Sequence, residues 1–266
     1  MVPPAAQPGV RFAEIDTPAL IVDLDAFERN LKRMAEAAAR AGVRLRPHAK
    51  THKCSIIAQQ QIALGAVGVC CQKVSEAEIL VRDGIGDVLI SNEVVGARKI
   101  ERLVALAKRA RIAVCVDDAG VARDLASAAE RADVTLSVLV EIDVGGNRCG
   151  VAPGAPALRL AQEIARSNAL RFGGLQAYHG SAQHKRTLAE RQVAIAQVAA
   201  QARETVALLA QNGLRCETIG GAGTGTFELE AAGGVINELQ AGSYVFMDVD
   251  YGRNKKADGA PFDTFE

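Results

Sequence analysis

The sequence predicts a (β/α)8 barrel of the TIM type, in the α/β class. Short apolar runs rich in β-branched residues alternate with amphipathic segments of helical period, and eight such runs follow one another along the chain. This alternation is typical of a parallel sheet covered by helices, and eight strands can close into a barrel. The length of 266 residues suits one barrel. A doubly wound open sheet is the alternative architecture.

The first elements come before the regular alternation begins. Residues 1–16 form a proline-containing N-terminal extension, and the apolar run at 19–24 predicts a strand. Asp25 is then placed to cap an alanine-rich helix that runs to about Ala41.

The barrel elements follow in order. Strands are predicted near residues 43–48, 66–71, 87–91, 111–117, 135–143, 171–178, 216–220 and 236–246. Helices are predicted between them, for example at 75–83, 96–109, 118–131, 155–167 and 186–212, the last ending at Gly213. The barrel closes without the run at 19–24, so that strand is left without a partner. Beyond Phe246 the chain becomes polar, and no final helix or strand is predicted there.

Composition excludes several classes of function. The formal net charge is +0 and no basic run or aromatic-basic stripe occurs, so nothing favours nucleic acid or an anionic membrane as a partner. No uninterrupted apolar stretch approaches the roughly 18 residues that span a bilayer, and the N-terminus lacks the pattern of a secretory leader. The six cysteines are scattered without metal-ligand spacing, which predicts buried thiols. We therefore expect a cytoplasmic protein with a small-molecule substrate.

A lysine marks the candidate site. Lys50 lies in the segment Arg46–Lys53, just past the end of a predicted strand. Catalytic residues of β/α barrels lie at such strand ends, and a lysine there can form a Schiff base. Polar residues after the other strands would gather at the same mouth of the barrel, the end at which the parallel strands finish. They are Gln72, Asn92, Asp117, Arg148, Tyr178, His179, Gly223 and Thr224.

Two glycine-rich segments also follow strands. The segment 143–150 allows close approach of the backbone and would aim Arg148 inward, and the segment 220–226 offers backbone N–H groups and two hydroxyls to a phosphate. His48, His52, His179 and His184 invite a metal interpretation. No carboxylate is spaced to complete a site with His48 and His52, so we expect the histidines to position a cofactor or a carboxylate instead.

Together these segments resemble the D-threonine aldolase and D-serine dehydratase family, the fold-type III pyridoxal-phosphate enzymes that share their barrel with alanine racemase. The resemblance extends over about residues 17–253. The motif 46–53 is similar to the cofactor-lysine motif of that family, and the segments 69–78 and 237–244 are similar to the D-threonine and 3-hydroxyaspartate aldolase branch.

The resemblance implies roles for individual residues. Lys50 would carry the cofactor, pyridoxal 5′-phosphate, as catalytic lysine; Arg148 and Gln72 would lie near its phenolic oxygen, and Tyr178 would flank its ring. The phosphate would be held by Gly223, Thr224, Gly242 and Ser243. Gln240 would stand where alanine racemase offers an arginine to the pyridine nitrogen, which would leave that nitrogen less protonated.

The resemblance also implies domains and partners. Residues 17–250 would form the cofactor-binding barrel, residues 251–266 would begin the connection to a C-terminal β domain absent from this chain, and the strand at 19–24 would pair with that domain. Dimers are common in the family, so a homodimer is the candidate assembly. A divalent metal (Mn²⁺, Mg²⁺ or Zn²⁺) is expected for the full-length family, with no ligands assigned in this sequence.

The resemblance leads to one activity and leaves alternatives. The expected reaction is retro-aldol cleavage of D-3-hydroxy amino acids to glycine and an aldehyde, impaired by the missing domain. A D-serine dehydratase-like ammonia-lyase and a non-catalytic pyridoxal-phosphate-binding homeostasis barrel are the alternatives. A further alternative is a chain that does not fold stably, because its unpartnered strand leaves apolar surface uncovered.

Overall fold

Eight parallel strands form the centre of the computed structural model, which describes residues 6–266. They are β1 Arg44–Leu45, β2 Val69–Cys71, β3 Asp87–Glu93, β4 Arg111–Val116, β5 Leu136–Glu141, β6 Leu170–Gln176, β7 Thr218–Gly221 and β8 Glu238–Leu239. From β2 to β8 each strand pairs with the next one in the chain, and β8 pairs with β1. The remaining seam, between β1 and β2, is joined by the bridge His48 to Cys70 and by the Val67 N–H, which donates to the Leu45 carbonyl at 2.9 Å. The predicted barrel is confirmed.

Helices cover the outside of the sheet. They are α1 Leu24–Ala41, α2 Ser55–Ala63, α3 Val74–Arg82, α4 Ala97–Leu106, α5 Ala119–Ala132, α6 Ala155–Ala165, α7 Leu188–Gln211, α8 Phe227–Ala232 and α9 Val249–Gly252. Their ends follow local chemistry: Asp118 caps α5, and Thr187 with Glu190 forms a capping box on α7. The predicted cap Asp25 is wrong by two residues, because the Asp23 carboxylate accepts the Ala26 N–H at 2.9 Å.

Two predictions at the ends of the barrel are wrong. Residues 19–23 have no regular secondary structure and α1 begins at Leu24, so the predicted strand at 19–24 does not form. The physical reason is that no other strand of the described chain lies beside it, and Leu20 is fully exposed. Its pairing with a further domain stays a prediction, and residues 1–5 of the predicted extension 1–16 lie outside the described residues. Beyond Phe246, where no helix was predicted, the short helix α9 forms, capped by Asp248.

The last residues pack onto the barrel. Phe265 is buried, and its ring centroid lies 5.5 Å from that of Tyr244 and 5.7 Å from that of Phe227. The Asn30 side chain pairs with the Glu266 backbone, donating to its carbonyl at 2.7 Å and accepting its N–H at 2.9 Å. The segment 251–266, expected only as a connection, therefore covers apolar surface of this barrel.

The core consists of two clusters of buried apolar residues. Most buried apolar residues lie in one large cluster that includes residues from both the strands and the helices. A small second cluster is formed by Cys70, Leu89, Cys115 and Leu139, each of which comes from a different strand. Burial raises the pKa of the Cys70 and Cys115 thiols, which keeps them in the unreactive thiol form.

Helix α7 is, within residues 6–266, the one helix long and apolar enough to cross a bilayer by length and composition. Its apolar sequence is interrupted by Arg203 and Glu204. In this structure it packs against α6 and α8 as a helix of the barrel.

A glycine at the bulge between β5 and β6 generates a stability prediction. The strand register shifts there, and Gly174 adopts a φ of +132° with no room for a side chain, since a Cβ would overlap the Thr218 carbonyl. We expect Gly174→Ala to lower the free energy of unfolding by about 2 kcal/mol or more, measured by urea denaturation. Gly86→Ala, where a Cβ meets open space, is the control and should change it by less than about 0.5 kcal/mol. Equal urea midpoints for the two variants would contradict the assignment.

Candidate active site

All nine residues predicted to form the site line one cavity. It lies at the carboxyl ends of the strands and is lined by Lys50, Gln72, Arg148, Tyr178, Gly223, Thr224, Gln240, Gly242 and Ser243, with His48, Ser91, Gln176, Ala222 and Tyr251. A second cavity of about 310 Å³ shares Lys50, Arg148 and Tyr178 with it. The structure thus brings the predicted residues together, while the role of each stays a prediction.

Lys50 stands in a short 3-10 helix, residues 49–51, directly after β1. Its backbone N–H donates to His48 Nδ1 at 3.4 Å, which caps this turn, and its Nζ lies 6.0 Å from the centre of the Tyr178 ring. The side chain reaches open solvent, yet surrounding protein desolvates it and Arg148 repels a second positive charge, so the pKa of Lys50 is lowered. A lower pKa leaves more of the amine in its neutral, nucleophilic form.

Backbone N–H groups without acceptors lie at another part of the cavity. Within residues 6–266, the N–H groups of Thr224, Gly242 and Ser243 donate to no protein acceptor. Thr224 is itself fixed, because its Oγ1 accepts the Tyr244 N–H at 3.0 Å. Gly242 must be glycine, since a Cβ would lie 2.7 Å from the His48 carbonyl oxygen. Unpaired N–H groups of this kind suit a phosphate, so the residues present fit the phosphate of the implied cofactor.

Arg148 is presented by the glycine-rich turn after β5. The Asp143 carboxylate accepts the N–H groups of Gly145 and Asn147, each at 3.0 Å, and this closes the turn. The guanidinium carbon lies 5.5 Å from the Tyr178 ring centre, and one guanidinium nitrogen lies 3.6 Å from the Glu141 carboxylate. The sequence expectation that this turn aims Arg148 toward Lys50 agrees with the geometry.

One group of three side chains within residues 6–266 has the spacing of a metal site. Ligand atoms of Glu93, Glu141 and Cys149 lie within 4.8 Å of one another. Burial and the nearby Glu93 carboxylate raise the pKa of Glu141, and burial with Glu141 raises the pKa of Cys149 to about 12. Arg148 contributes a positive charge beside Glu141, and we assign no metal to this group.

The histidines are dispersed. His48 is buried and His52 is partly buried, both next to Lys50, and His179 follows β6 beneath the turn at Gly145. The exposed His184 Nδ1 lies 2.5 Å from the Asp250 carboxylate, and its ring stacks on Tyr251.

Other predicted mouth residues support loops instead of lining the cavity. Asn92 donates to the Gln72 carbonyl at 3.2 Å, and the Asp117 carboxylate accepts the Gly150 N–H at 2.9 Å. The sequence analysis missed Ser91 and Gln176. Strand alternation offered a signal for both, since Gln176 precedes Tyr178 by two residues and Ser91 follows the inward-facing Leu89 by two.

A larger cavity of about 570 Å³ lies at the opposite mouth of the barrel. It is lined by paired charges: Arg46 contacts Asp87 at 2.6 Å and Glu238 at 2.9 Å, and Arg171 contacts Glu217 at 2.6 Å. Catalytic groups of β/α barrels lie at the carboxyl ends of the strands, so we assign the chemistry to the smaller cavity with Lys50.

Comparison with known proteins agrees with this site. Residues 22–250 match the family model described as "Alanine racemase, N-terminal domain". The chain is 52% identical to a D-threonine aldolase of Arthrobacter sp over 96% of its length and 67% of that protein, and 45% identical to a 3-hydroxy-D-aspartate aldolase of Paracoccus denitrificans over 98% and 68%. The crystal structure of D-threonine aldolase from Filomicrobium marinum superposes with a TM-score of 0.92 and 58% identity, covering 96% of this chain and 68% of that one.

His48 and His52, which are shielded from solvent beside Lys50, generate a prediction for stability against pH. Burial lowers the pKa of His48 to about 3 and that of His52 to about 4, from about 6.5 in an unfolded chain. Below about pH 6.5 the unfolded state therefore binds more protons than the folded state, and stability falls as pH decreases. We expect each histidine to contribute a slope of up to about 1.4 kcal/mol per pH unit between pH 6 and pH 4.5.

Urea denaturation at several pH values checks this expectation. His48→Asn and His52→Asn should each give a shallower dependence of the unfolding free energy on pH than the parent chain. Gln60→Asn, an exposed and non-titrating change on α2, should keep the parent slope. An unchanged slope in both histidine variants would show that these rings are not held neutral by the fold.

Proposed function

The chain belongs to the alanine racemase N-terminal domain family, and on that premise we propose that it is the cofactor-binding barrel of a pyridoxal-phosphate-dependent lyase that cleaves D-3-hydroxy amino acids to glycine and an aldehyde. The observation that carries the proposal is Lys50, with a lowered pKa, in one cavity with an arginine and three backbone N–H groups free for a phosphate. The names of the two aldolases, which share about half of its residues, support this substrate class.

Different residues of the cavity would hold different parts of the cofactor. Lys50 would bind its aldehyde carbon, the N–H groups of Thr224, Gly242 and Ser243 would bind its phosphate, and Tyr178 would lie against its ring. Arg148 is placed beside Tyr178 to meet the phenolic oxygen. Pyridoxal phosphate, when bound, supplies an electron sink for the charge left on Cα when a bond to that carbon breaks.

Lys50 and Arg148 also have roles in proton transfer. Burial and charge repulsion from Arg148 lower the pKa of Lys50, which increases the fraction of Nζ that is free to accept a proton. Tyr178 is not assigned as a proton acceptor, because burial raises the pKa of its hydroxyl above the ordinary value and keeps it protonated. We therefore assign proton transfer at Cα to Lys50.

Cleavage of the Cα–Cβ bond requires removal of the β-hydroxyl proton. We propose that a divalent cation (Mn²⁺, Mg²⁺ or Zn²⁺) serves this step, since a bound cation lowers the pKa of an oxygen that contacts it. No ligands for it are assigned among the described residues. A 3-hydroxy amino acid whose hydroxyl left as water would instead give a keto acid and ammonia, so the products distinguish an aldolase from a dehydratase.

Replacing the lysine tests the proposal. We expect Lys50→Ala to lose the absorption band of bound pyridoxal phosphate and to slow cleavage of D-threonine by at least about a hundredfold. Lys53→Gln, an exposed lysine three residues along the chain, is the matched control and should keep both. Borohydride reduction followed by peptide mapping should find the label on Lys50.

The products complete the test. Incubation with D-threonine, D-3-hydroxyaspartate and D-serine, with added Mn²⁺ or Zn²⁺, should release glycine and an aldehyde from the first two. Release of keto acid and ammonia would instead support a dehydratase. Cofactor retained on Lys50 with no turnover of any substrate would support the non-catalytic homeostasis barrel.

A further inference from the structure

A chain of three buried polar side chains joins the cofactor cavity to the opposite mouth of the barrel. Glu238, Gln240 and Gln176 are 1%, 5% and 3% exposed. Gln240 Nε2 donates to Glu238 Oε1 at 3.4 Å, and Gln176 Nε2 donates to Gln240 Oε1 at 2.7 Å. Both glutamines line the cavity with Lys50, whereas Glu238 lines the cavity at the other mouth.

Strand register builds this chain. Gln176 of β6 lies beside Gly220 of β7, and Gly220 lies beside Glu238 of β8, so the three positions form one layer inside the barrel. Because Gly220 has no side chain, the side-chain amide nitrogen of Gln240 occupies the space where a Cβ at position 220 would lie. A Cβ at Gly220 would also lie 2.9 Å from Gln176 Oε1. The nitrogen end of the Gln240 amide is therefore directed away from the cofactor cavity.

Charge fixes this direction. A carboxylate only accepts hydrogen bonds, so Glu238 requires the NH₂ end of Gln240 and excludes its carbonyl. Glu238 is itself held by Arg46 at 2.9 Å and Arg44 at 3.3 Å, and Arg46 also contacts Asp87. The carbonyl end of Gln240 is left on the side of the cavity, where one of its two lone pairs is used by Gln176.

We propose that Glu238 is a positioning residue that holds the Gln240 carbonyl toward the ring nitrogen of the cofactor and thereby keeps that nitrogen protonated. This inference rests on the proposed function and on the position opposite the ring nitrogen that the family resemblance implies for Gln240, which lines the cavity with Lys50. It reverses the expectation from the residue type alone, because a glutamine can donate or accept and only its neighbour decides which end it presents. A protonated ring nitrogen withdraws more charge from Cα, which suits cleavage of a Cα–Cβ bond.

Nitrogen NMR tests the proposal directly. The chain is loaded with pyridoxal phosphate labelled with ¹⁵N in its ring, and the resonance is recorded at neutral pH. We expect the upfield position of a protonated ring nitrogen in the parent chain. Glu238→Gln, which lets the Gln240 amide turn over, should move the resonance downfield toward the unprotonated position, and Glu238→Asp, which restores a carboxylate, should move it at least partly back.

A matched control separates position from charge. Glu217→Gln removes one negative charge from the same mouth of the barrel, where Glu217 contacts Arg171 and not Gln240, and should leave the resonance unchanged. Gln240→Met removes the acceptor itself and should also give the unprotonated position. This variant leaves Glu238 and its arginines in place, so it stays informative if Glu238→Gln does not fold.

The outcomes distinguish the two proposals. An unprotonated ring nitrogen in the parent chain, or the same resonance in the parent, Glu238→Gln and Gln240→Met, would overturn the role of Glu238 while leaving the lyase proposal intact. Failure of the parent chain to bind the labelled cofactor at Lys50 would overturn the proposed function, and this inference with it.

Discussion

Parallel pairing of all eight strands is the constraint on which the site depends. Because every strand points the same way, each residue that directly follows a strand lies at the same mouth of the barrel. Lys50 after β1, Gln72 after β2, Arg148 after β5 and Tyr178 after β6 come from distant parts of the sequence and line one cavity only for this reason. The seam between β1 and β2, joined by the bridge at His48 and Cys70 and by the Val67 N–H to the Leu45 carbonyl, brings the lysine segment into the ring.

The two mouths of the barrel differ in how their charged side chains are paired. At the opposite mouth, arginines and carboxylates alternate in ion pairs, and Arg46 and Glu238 there connect β1 to β8 where the sheet closes. At the mouth with Lys50, no carboxylate within residues 6–266 forms an ion pair with the lysine, and desolvation and the nearby Arg148 lower its pKa. The unpaired arrangement costs stability and keeps the amine reactive, as is common at functional sites.

Hydrogen-bonding capacity shows a similar division. Most buried backbone groups are paired within strands, helices and turns, as burial requires. The free N–H groups of Thr224, Gly242 and Ser243 are an exception, and they lie together in the cavity. Where Gly242 and Gly220 lack side chains, the His48 backbone and the Gln240 amide occupy the space, so these glycines bring β7 and β8 close to the groups that line the site.

The sequence by itself determined the barrel, the strand order and the lysine, because alternating apolar and amphipathic runs depend on local periodicity and the lysine motif is continuous in the chain. Nine predicted residues line one cavity: Lys50, Gln72, Arg148, Tyr178, Gly223 and Thr224 were expected at strand ends, and Gln240, Gly242 and Ser243 were expected from the family resemblance. The sequence-based prediction failed for the strand at 19–24, whose pairing depends on a partner, and it did not pick out Ser91, although Ser91 follows the inward-facing Leu89 by two residues. Only the tertiary structure decided which end Gln240 presents and which N–H groups stay free, because both depend on neighbours brought together by closure of the barrel.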